Sequence, residues 1–524
     1  MGTLAAGSVV AVIGSGAMGS GIAQVAASAG HIVKLYDTRL DAVGKAIADI
    51  GAVYRKLVDK QKMTAADADA ATARLKAVSS LGDVADAALV VEAIVENLDV
   101  KRSLFADLEG VVSDDCILAT NTSSISVTAI AAKLRRPQRL VGMHFFNPVP
   151  LMALVEVISG LATDAAVART VFDTAASWGK NPVHAKYTPG FIVNRVARPY
   201  YAEGLRLLNE QAADPATIDA VMREAGGFRM GPFELMDLIG HDVNYSVTQS
   251  VFNAYYNDPR FTPSVIQQEL VNAGFLGRKS GQGFYAYGDG AATPQAACEA
   301  PQPNPEYANH SHGQDASGAM MAAPQMDALL ERFRARGVEV GLKKHLEGHG
   351  HGNDSAAAIH CNGAAIYLTD GRTATQRARD NRHPDTVLFD LALDYGKAPR
   401  IALACSDQCK PAVWQSVVGL FQAAGFVVTK LDDVPGMAVM RTVAMLANEA
   451  ADAVNQGVCS AEGADTAMQK GVNYPKGPLA WADSIGIGHV VTVLHNLAAS
   501  YGEDRYRVSP LLRRKLAAGG KFHA

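Results

Sequence analysis

Residues Val9-Val10-Ala11-Val12-Ile13-Gly14-Ser15-Gly16-Ala17-Met18-Gly19 join a β-branched run to three glycines spaced G-x-G-x-x-G, and no other stretch limits the fold as strongly. The pattern predicts a strand over Val9–Ile13, a tight turn, and a helix over Ala17–Ala29 closed by Gly30. Gly14 permits the turn, Gly16 lets the backbone approach a pyrophosphate, and Gly19 lets helix and strand pack closely. The helix N-terminus, with Ala17 and Met18 in its first turn, then offers unpaired N–H groups and a favourable dipole to phosphate. A second strand, His31–Tyr36, ends in Asp37, 18 residues after Gly19. A carboxylate there suits the adenine ribose hydroxyls and repels a 2′-phosphate, so the pattern predicts NAD; Arg39 is the neighbour that would favour NADP. The alternative is that the glycines only shape a loop and Asp37 caps a helix.

Further strands are expected at Ala88–Ala93, Ile117–Ala119 and Leu140–Phe145, with helical stretches between. Such alternation argues for a doubly wound, mostly parallel sheet over 1–187. Helical periodicity then dominates through Leu238, strand signals are scarce until Gly283–Tyr287, and a separate helical domain is expected over 188–287. Residues 288–325, rich in Ala, Pro, Gln, Gly and Asn, read as a linker or exposed, poorly ordered loop. The α/β character returns over 326–432, with strands expected at Ala357–Tyr367, Thr386–Ala392, Arg400–Ala404 and Phe426–Lys430 and a helix at Trp414–Ala424.

The tail at 433–524 repeats the helical region. At an offset of 246 residues Pro189-Gly190 meets Pro435-Gly436, Arg195 meets Arg441, Glu203 meets Glu449, Asn209 meets Asn455, and Asp219 meets Asp465. Gly231-Pro232 meets Gly477-Pro478, Asp237 meets Asp483 and Gly240 meets Gly486 in the same register. The helical domain therefore occurs twice. The segment 326–432 is expected to be a degenerate partner of the first α/β domain.

Of the 524 residues, 48% are apolar and 19% charged, and the formal net charge is −4, so nucleic acid is a poor partner. No apolar run reaches the roughly 20 residues of a membrane helix. No basic residue precedes the first apolar segment, so no signal peptide is expected. Six scattered cysteines read as reduced thiols of a cytoplasmic protein, and Cys405 and Cys409 lack the neighbours of a metal site, so no metal is expected.

His144-Phe145-Phe146-Asn147-Pro148 puts a histidine at the carboxyl end of an apolar strand, where open α/β sheets form their ligand crevice. Twelve residues on, Glu156 sits inside the apolar run Leu151–Ile158. A carboxylate in such a run needs a partner, and a histidine across the crevice would serve.

With these motifs the chain resembles the L-3-hydroxyacyl-CoA dehydrogenases over nearly all of 8–287. The resemblance also rests on Val90-Val91-Glu92-Ala93-Ile94-Val95-Glu96-Asn97, Asn121-Thr122-Ser123-Ser124, Leu154-Val155-Glu156-Val157-Ile158, Pro189–Arg195 and Gly281-Gln282-Gly283-Phe284-Tyr285. It implies that His144 is the base removing the 3-hydroxyl proton and Glu156 its orienting partner. It implies that Ser123 and Asn194 hold substrate, and that Glu96, Lys101 and Asn121 contact the cofactor near the nicotinamide. Lys56 and Lys60, four apart on one helix face, are implied as contacts for coenzyme A phosphates. Simpler readings are that Ser123 caps a helix, that the lysines are a solvated face, and that Asn147 only shapes a turn.

Two-domain members of that family end after the first helical domain. Here the repeat equivalent of Asn194 is Met440, and 326–432 carries neither G-x-G-x-x-G nor His-Phe-Phe-Asn-Pro, so one active site per chain is expected. The second copy is expected to be structural, supplying within one chain the surface that two-domain members use to dimerise; a homo-oligomer is the alternative. The long architecture resembles bacterial members that act on 3-hydroxyadipyl-CoA in phenylacetate breakdown, and long forms that act on 3-hydroxybutyryl-CoA. Two other readings stay open: an NADP-dependent reductase working in the opposite direction, and a non-catalytic NAD-binding protein. A fused hydratase is not expected, because the dinucleotide fold begins at Val9.

Overall fold

The computed structural model describes residues 2–292, 294–305, 308–311, 313–314, 320–321, 324–342 and 358–523. They form two compact units, one of Met1–Arg195 with Gln456–Val472, the other of Val196–Asn455 with Asn473–Ala524.

The first unit carries β1 (Val9–Ile13), α1 (Ala17–Ser28), β2 (Ile32–Tyr36), α2 (Leu40–Asp59), α3 (Ala65–Arg74), β3 (Leu75–Ala77), β4 (Leu89–Glu92) and α4 (Leu98–Val111). It continues with β5 (Ile117–Thr120), α5 (Val127–Ala131), β6 (Leu140–Phe145), β7 (Leu154–Ser159), α6 (Ala165–Ser177), β8 (Asn181–Lys186) and the start of α7 (Val193–Val196). The strands form one sheet in the order β3-β2-β1-β4-β5-β6-β7-β8. Chain order reverses beside β1, so the glycine turn opens at a topological switch point. Every pairing is parallel except β6 with β7, whose antiparallel register sets His144 opposite Glu156. β4, β5 and β6 are apolar without alternation because helices cover both faces of the sheet. Val10, Val12, Ile22, Leu35, Val91, Val141 and Phe145 centre the core.

A segment of the second helical copy belongs to this unit. The helix Ala461–Gly471 packs on β7 and β8, and the Lys186 N–H donates to the Val458 carbonyl at 2.8 Å. A methyl group on Gly471 would stand 2.5 Å from Leu154 Cδ2, so the glycine lets helix and strand approach closely without displacing the Leu154 side chain.

The second unit begins with α8 (Arg198–Asn209), α9 (Pro215–Glu224), α10 (Pro232–Ile239), α11 (His241–Ala254) and α12 (Val265–Asn272). The expected strand at Gly283–Tyr287 is absent. That stretch is a loop held by carboxylates: Asp237 accepts from the Phe284 and Tyr285 N–H groups, and Asp219 from the Tyr285 hydroxyl. Its aromatic run fills these contacts rather than a sheet.

The expected linker also has structure. Glu299 N–H donates to the Val428 carbonyl, Gln302 N–H donates to Gln422, and β9 (Ala308–Ser311) joins a sheet. After β9 come β10 (Gly313–Gln314), β11 (Met320–Met321), α13 (Pro324–Ala335), β12 (Gly341–Leu342), β13 (Ala358–Cys361), β14 (Ala364–Leu368), α14 (Ala374–Asn381), β15 (Thr386–Phe389), β16 (Arg400–Cys405), α15 (Pro411–Ala423) and β17 (Val427–Lys430). The single strand expected over Ala357–Tyr367 is a hairpin, β13 and β14, turned at Asn362 and Gly363, which both have positive φ; Ala357 lies outside the described residues. The main sheet runs β12-β9-β13-β14-β15-β16-β17.

This sheet carries the repeat further upstream than the helical region. At the same offset of 246, β16 falls on β7 and α15 on α6 residue for residue. The pairings agree too: β15 with β16 is antiparallel and β16 with β17 parallel, as for β6, β7 and β8. The counterpart of His144 is Asp390, and that of Glu156 is Ala402.

The second helical copy comprises α16 (Val439–Asn455), the helix of the first unit already described as α17 (Ala461–Gly471), α18 (Pro478–Ile485), α19 (Ile487–Tyr501) and α20 (Pro510–Ala517). α16 is buried from Val439 to Ala453. It meets α8, and the two copies exchange equivalent ion pairs inside this unit. Arg260 reaches Glu449 at 3.1 Å, and Arg505 reaches Glu203 at 3.4 Å. Glu203 and Glu449 are repeat equivalents, and Arg260 and Arg505 sit at the middle of matching short turns, Pro259–Phe261 and Asp504–Tyr506, where the offset is 245, so the contact is reciprocal in the manner of an isologous interface.

Candidate active site

The glycine turn has the shape a dinucleotide needs. Gly14 has φ of 107°. A methyl group there would stand 2.5 Å from the Ala93 carbonyl oxygen, and one on Gly19 would stand 1.8 Å from that of Gly14. A methyl group on Gly16 would meet nothing within 4 Å, so that backbone faces open space. No side chain caps the N-terminus of α1, where Ala17 and Met18 form the first turn. Beside the turn lies a cavity of about 710 Å³ whose wall includes Gly14, Gly16, Asp37, Ala93 and Val95, within the usual range for a cofactor site.

Asp37 closes this cavity at the end of β2. Its Oδ2 accepts from both the N–H and the hydroxyl of Ser15, each at 2.8 Å, and Oδ1 accepts from the Arg39 N–H. Partial burial pushes the carboxyl up, but the bonds from Ser15 and Arg39 outweigh it and hold the group below the usual range. Ser15, between two motif glycines, is a residue that the sequence reading passed over.

Three carboxyl strand ends meet at one rim. The Phe145 N–H donates to Asn121 Oδ1 at 2.8 Å, tying the end of β6 to the end of β5. Glu96 Oε1 organises the next turn: it accepts from the Thr122 hydroxyl at 2.6 Å and from the Ser123 and Ser124 N–H groups at 2.9 and 3.1 Å. Burial works against its charge, but the Thr122 hydroxyl and the Lys101 ammonium hold its carboxyl below the usual range. Ser123 is exposed and its hydroxyl lies 3.3 Å from Glu96. The cap of α5 is Ser126, not Ser123.

Lys101 stands behind Glu96. Its side chain is 1% exposed, with Nζ 2.6 Å from Glu92 and 3.3 Å from Glu96. Glu92 is fully buried and also accepts from Thr120 and from the Ile94 N–H. An acidic residue closing an apolar strand was the signal for it.

His144 Nδ1 lies 2.7 Å from Glu156 Oε2. Glu156 is fully buried, and its other oxygen accepts the Ile192 and Val193 N–H groups, both at 3.0 Å. Its acceptor sites are thus largely filled without solvent. Phe146 and Phe191 flank the imidazole, with ring centroids 4.6 and 5.6 Å away. A ring whose Nδ1–H is donated to a carboxylate presents Nε2 as a base. Asn194 is half-buried one residue beyond the turn that grips Glu156. Lys56 and Lys60 are exposed at the C-terminal end of α2.

A switch-point crevice with a glycine turn, and a histidine–carboxylate pair on the same rim, define an NAD-binding oxidoreductase. The model of the 3-hydroxyacyl-CoA dehydrogenase NAD-binding domain matches residues 9–188, and that of the C-terminal domain matches 190–287 and again 436–522. A 3-hydroxybutyryl-CoA dehydrogenase reduced Rossmann-fold domain matches 366–435. A 3-hydroxyadipyl-CoA dehydrogenase of Escherichia coli K12 is 44% identical over 97% of each chain. The mitochondrial hydroxyacyl-coenzyme A dehydrogenase of Sus scrofa is 41% identical, covering 53% of this chain and 90% of its own. The crystal structure of a 3-hydroxybutyryl-CoA dehydrogenase from Escherichia coli K12 superposes with a TM-score of 0.85 at 42% identity, covering 98% of this chain and all of that one. The chain belongs to the 3-hydroxyacyl-CoA dehydrogenase family and is an NAD-dependent enzyme.

Proposed function

We propose that the enzyme oxidises the 3-hydroxyl of a short-chain or dicarboxylic acyl-coenzyme A thioester, with His144 Nε2 as the base. The observation that carries this reading is the 2.7 Å contact of His144 with Glu156 at the rim shared with the glycine turn. His144 removes the hydroxyl proton, and Glu156 fixes the ring tautomer and stabilises the imidazolium. NAD, when bound in the crevice, supplies the hydride acceptor. Ser123 and the Asn194 amide hold the substrate oxygens, Glu96, Lys101 and Asn121 shape the nicotinamide end, and Lys56 and Lys60 meet coenzyme A phosphates.

The family relatives carry two substrate names, 3-hydroxyadipyl-CoA and 3-hydroxybutyryl-CoA, and these are the two acyl chains proposed here, the first placing the enzyme in phenylacetate breakdown. Among the described residues no helix is long and apolar enough to cross a membrane; the cytoplasmic location proposed here rests on the scattered cysteines read as reduced thiols. A steady-state panel of 3-hydroxyacyl-CoA substrates differing in length and terminal carboxylate, run with NAD and NADP, tests the reading. A kcat/KM for NADP equal to that for NAD, or no turnover of any thioester, overturns it.

A further inference from the structure

The pair His144–Glu156 is held from behind by a piece of the second helical copy. Glu156 Oε1 is fixed by the N–H groups of Ile192 and Val193. Two residues after Val193, Arg195 is buried, at 1% exposure, and its Nη1 donates to Gln456 Oε1 at 2.8 Å. Gln456 opens the same segment whose Val458 carbonyl accepts the Lys186 N–H and whose Gly471 presses on Leu154 and Val193. Leu154 begins the strand that carries Glu156. Burial pushes the Cys459 thiol up to about 12, with the Glu156 carboxylate adding to the rise, so this segment lies within the field of Glu156.

The second unit holds the same frame without an imidazole. The Ala438, Val439 and Met440 N–H groups, counterparts of 192–194, donate to Asp390. Arg441 Nη1 donates to Glu210, the counterpart of Gln456, at 3.2 Å. The Asp432 N–H donates to the Ala212 carbonyl, as Lys186 does to Val458. The frame is therefore a general way to fix a carboxylate under a helix start. Only in the first unit does the carboxylate also hold a histidine.

From this juxtaposition we propose that Gln456 is a positioning residue for the dehydrogenase reaction: by holding Arg195 it fixes the 192–195 turn, and that turn fixes Glu156 against His144. The proposal rests on the assignment of His144 and Glu156 as base and partner. A desolvated guanidinium that loses an acceptor must find another, and the turn beside it moves in doing so. Small displacements of an orienting group lower the rate of the chemical step without changing ground-state binding.

The test is a double-mutant cycle on the full chain. Gln456→Ala is expected to lower kcat about tenfold, with KM for both substrates and the number and affinity of NADH sites unchanged. Gln456→Glu, which copies Glu210, is expected to keep kcat within about threefold of the parent. In a Glu156→Gln background Gln456→Ala is expected to cost almost nothing, because the group it positions is gone. Full additivity of the two substitutions, a loss of NADH sites equal to the loss of kcat, or no loss in Gln456→Ala overturns the proposal. If Glu156→Gln alone leaves kcat intact, the assignment of the catalytic pair fails instead.

Discussion

His144 and Glu156 face each other across neighbouring antiparallel strands, with 2.7 Å between Nδ1 and Oε2. The carboxylate accepts two backbone N–H groups on its other oxygen, so its orientation does not depend on the histidine. Glu156→Gln keeps the size of the side chain but removes the charge that, in the proposed mechanism, stabilises an imidazolium. We expect kcat to fall by about 10² to 10⁴, with NADH affinity within about twofold of the parent, read by steady-state assay and fluorescence titration. His144→Ala should show at least the same loss. A kcat within about threefold of the parent in either variant would remove the pair from the chemistry.

Asp37 is joined to Ser15 by two hydrogen bonds at 2.8 Å, which makes the proposed ribose contact and the glycine turn one object. Asp37→Ser should therefore do two things. It should weaken NADH by about tenfold or more, the cost of a lost charge-assisted pair, and narrow the discrimination against NADPH, because the repulsion of a 2′-phosphate disappears. Both are read by fluorescence titration. Unchanged preference between the two coenzymes would show that another residue excludes the phosphate.

The glycine turn and the histidine were legible because each follows from local chemistry. A strand before three spaced glycines has few other folds, and β1 and β6 have the bounds the residues suggested. The meeting of His144 with Glu156 needed more, since it depends on β7 running antiparallel to β6, which a run of apolar residues does not encode. The repeat was read in the helical region, yet the same offset also joins His144 to Asp390 and Glu156 to Ala402. Those residues share no chemistry, so only the backbone reveals their kinship. Gly283–Tyr287 reads as a strand because its aromatic residues, Phe284, Tyr285 and Tyr287, are of a type enriched in strands. Its partners, Asp219 and Asp237, lie far upstream, and a window of neighbouring residues does not contain them.

Asp219 gives the fold a pH dependence of definite sign. It is fully buried, and that burial raises its carboxyl to about 7 against the bonds from the Tyr285 hydroxyl and the Phe233 N–H. The folded state then binds a proton more tightly than the unfolded chain, where an aspartate titrates near 3.9. The resulting stability is complete below about pH 4 and is lost as pH rises through about 7, on the order of 4 kcal/mol in all. The thermal midpoint should fall between about pH 5 and about pH 8, and the slope should be shallower in Asp219→Asn. Parallel curves for the two proteins would rule this group out as the source.

The reciprocal pairs between the helical copies bear on association. Glu203 is fully buried, and its partners Arg441 and Arg505 lie in the second copy; Arg260, at 2% side-chain exposure, meets Glu449 and Asp452. Breaking one such buried pair costs about 3–5 kcal/mol, so a chain ending near residue 290 would be left with unpaired buried charges. We expect the truncated chain to recover partners by pairing with a second copy of itself, and the full chain, already paired, to remain monomeric. Sedimentation velocity of the two proteins separates the cases. Equal oligomeric states would mean that the second copy does not stand in for a dimer partner, and a full-length dimer would mean that this family member associates through a surface other than the one its own repeat covers.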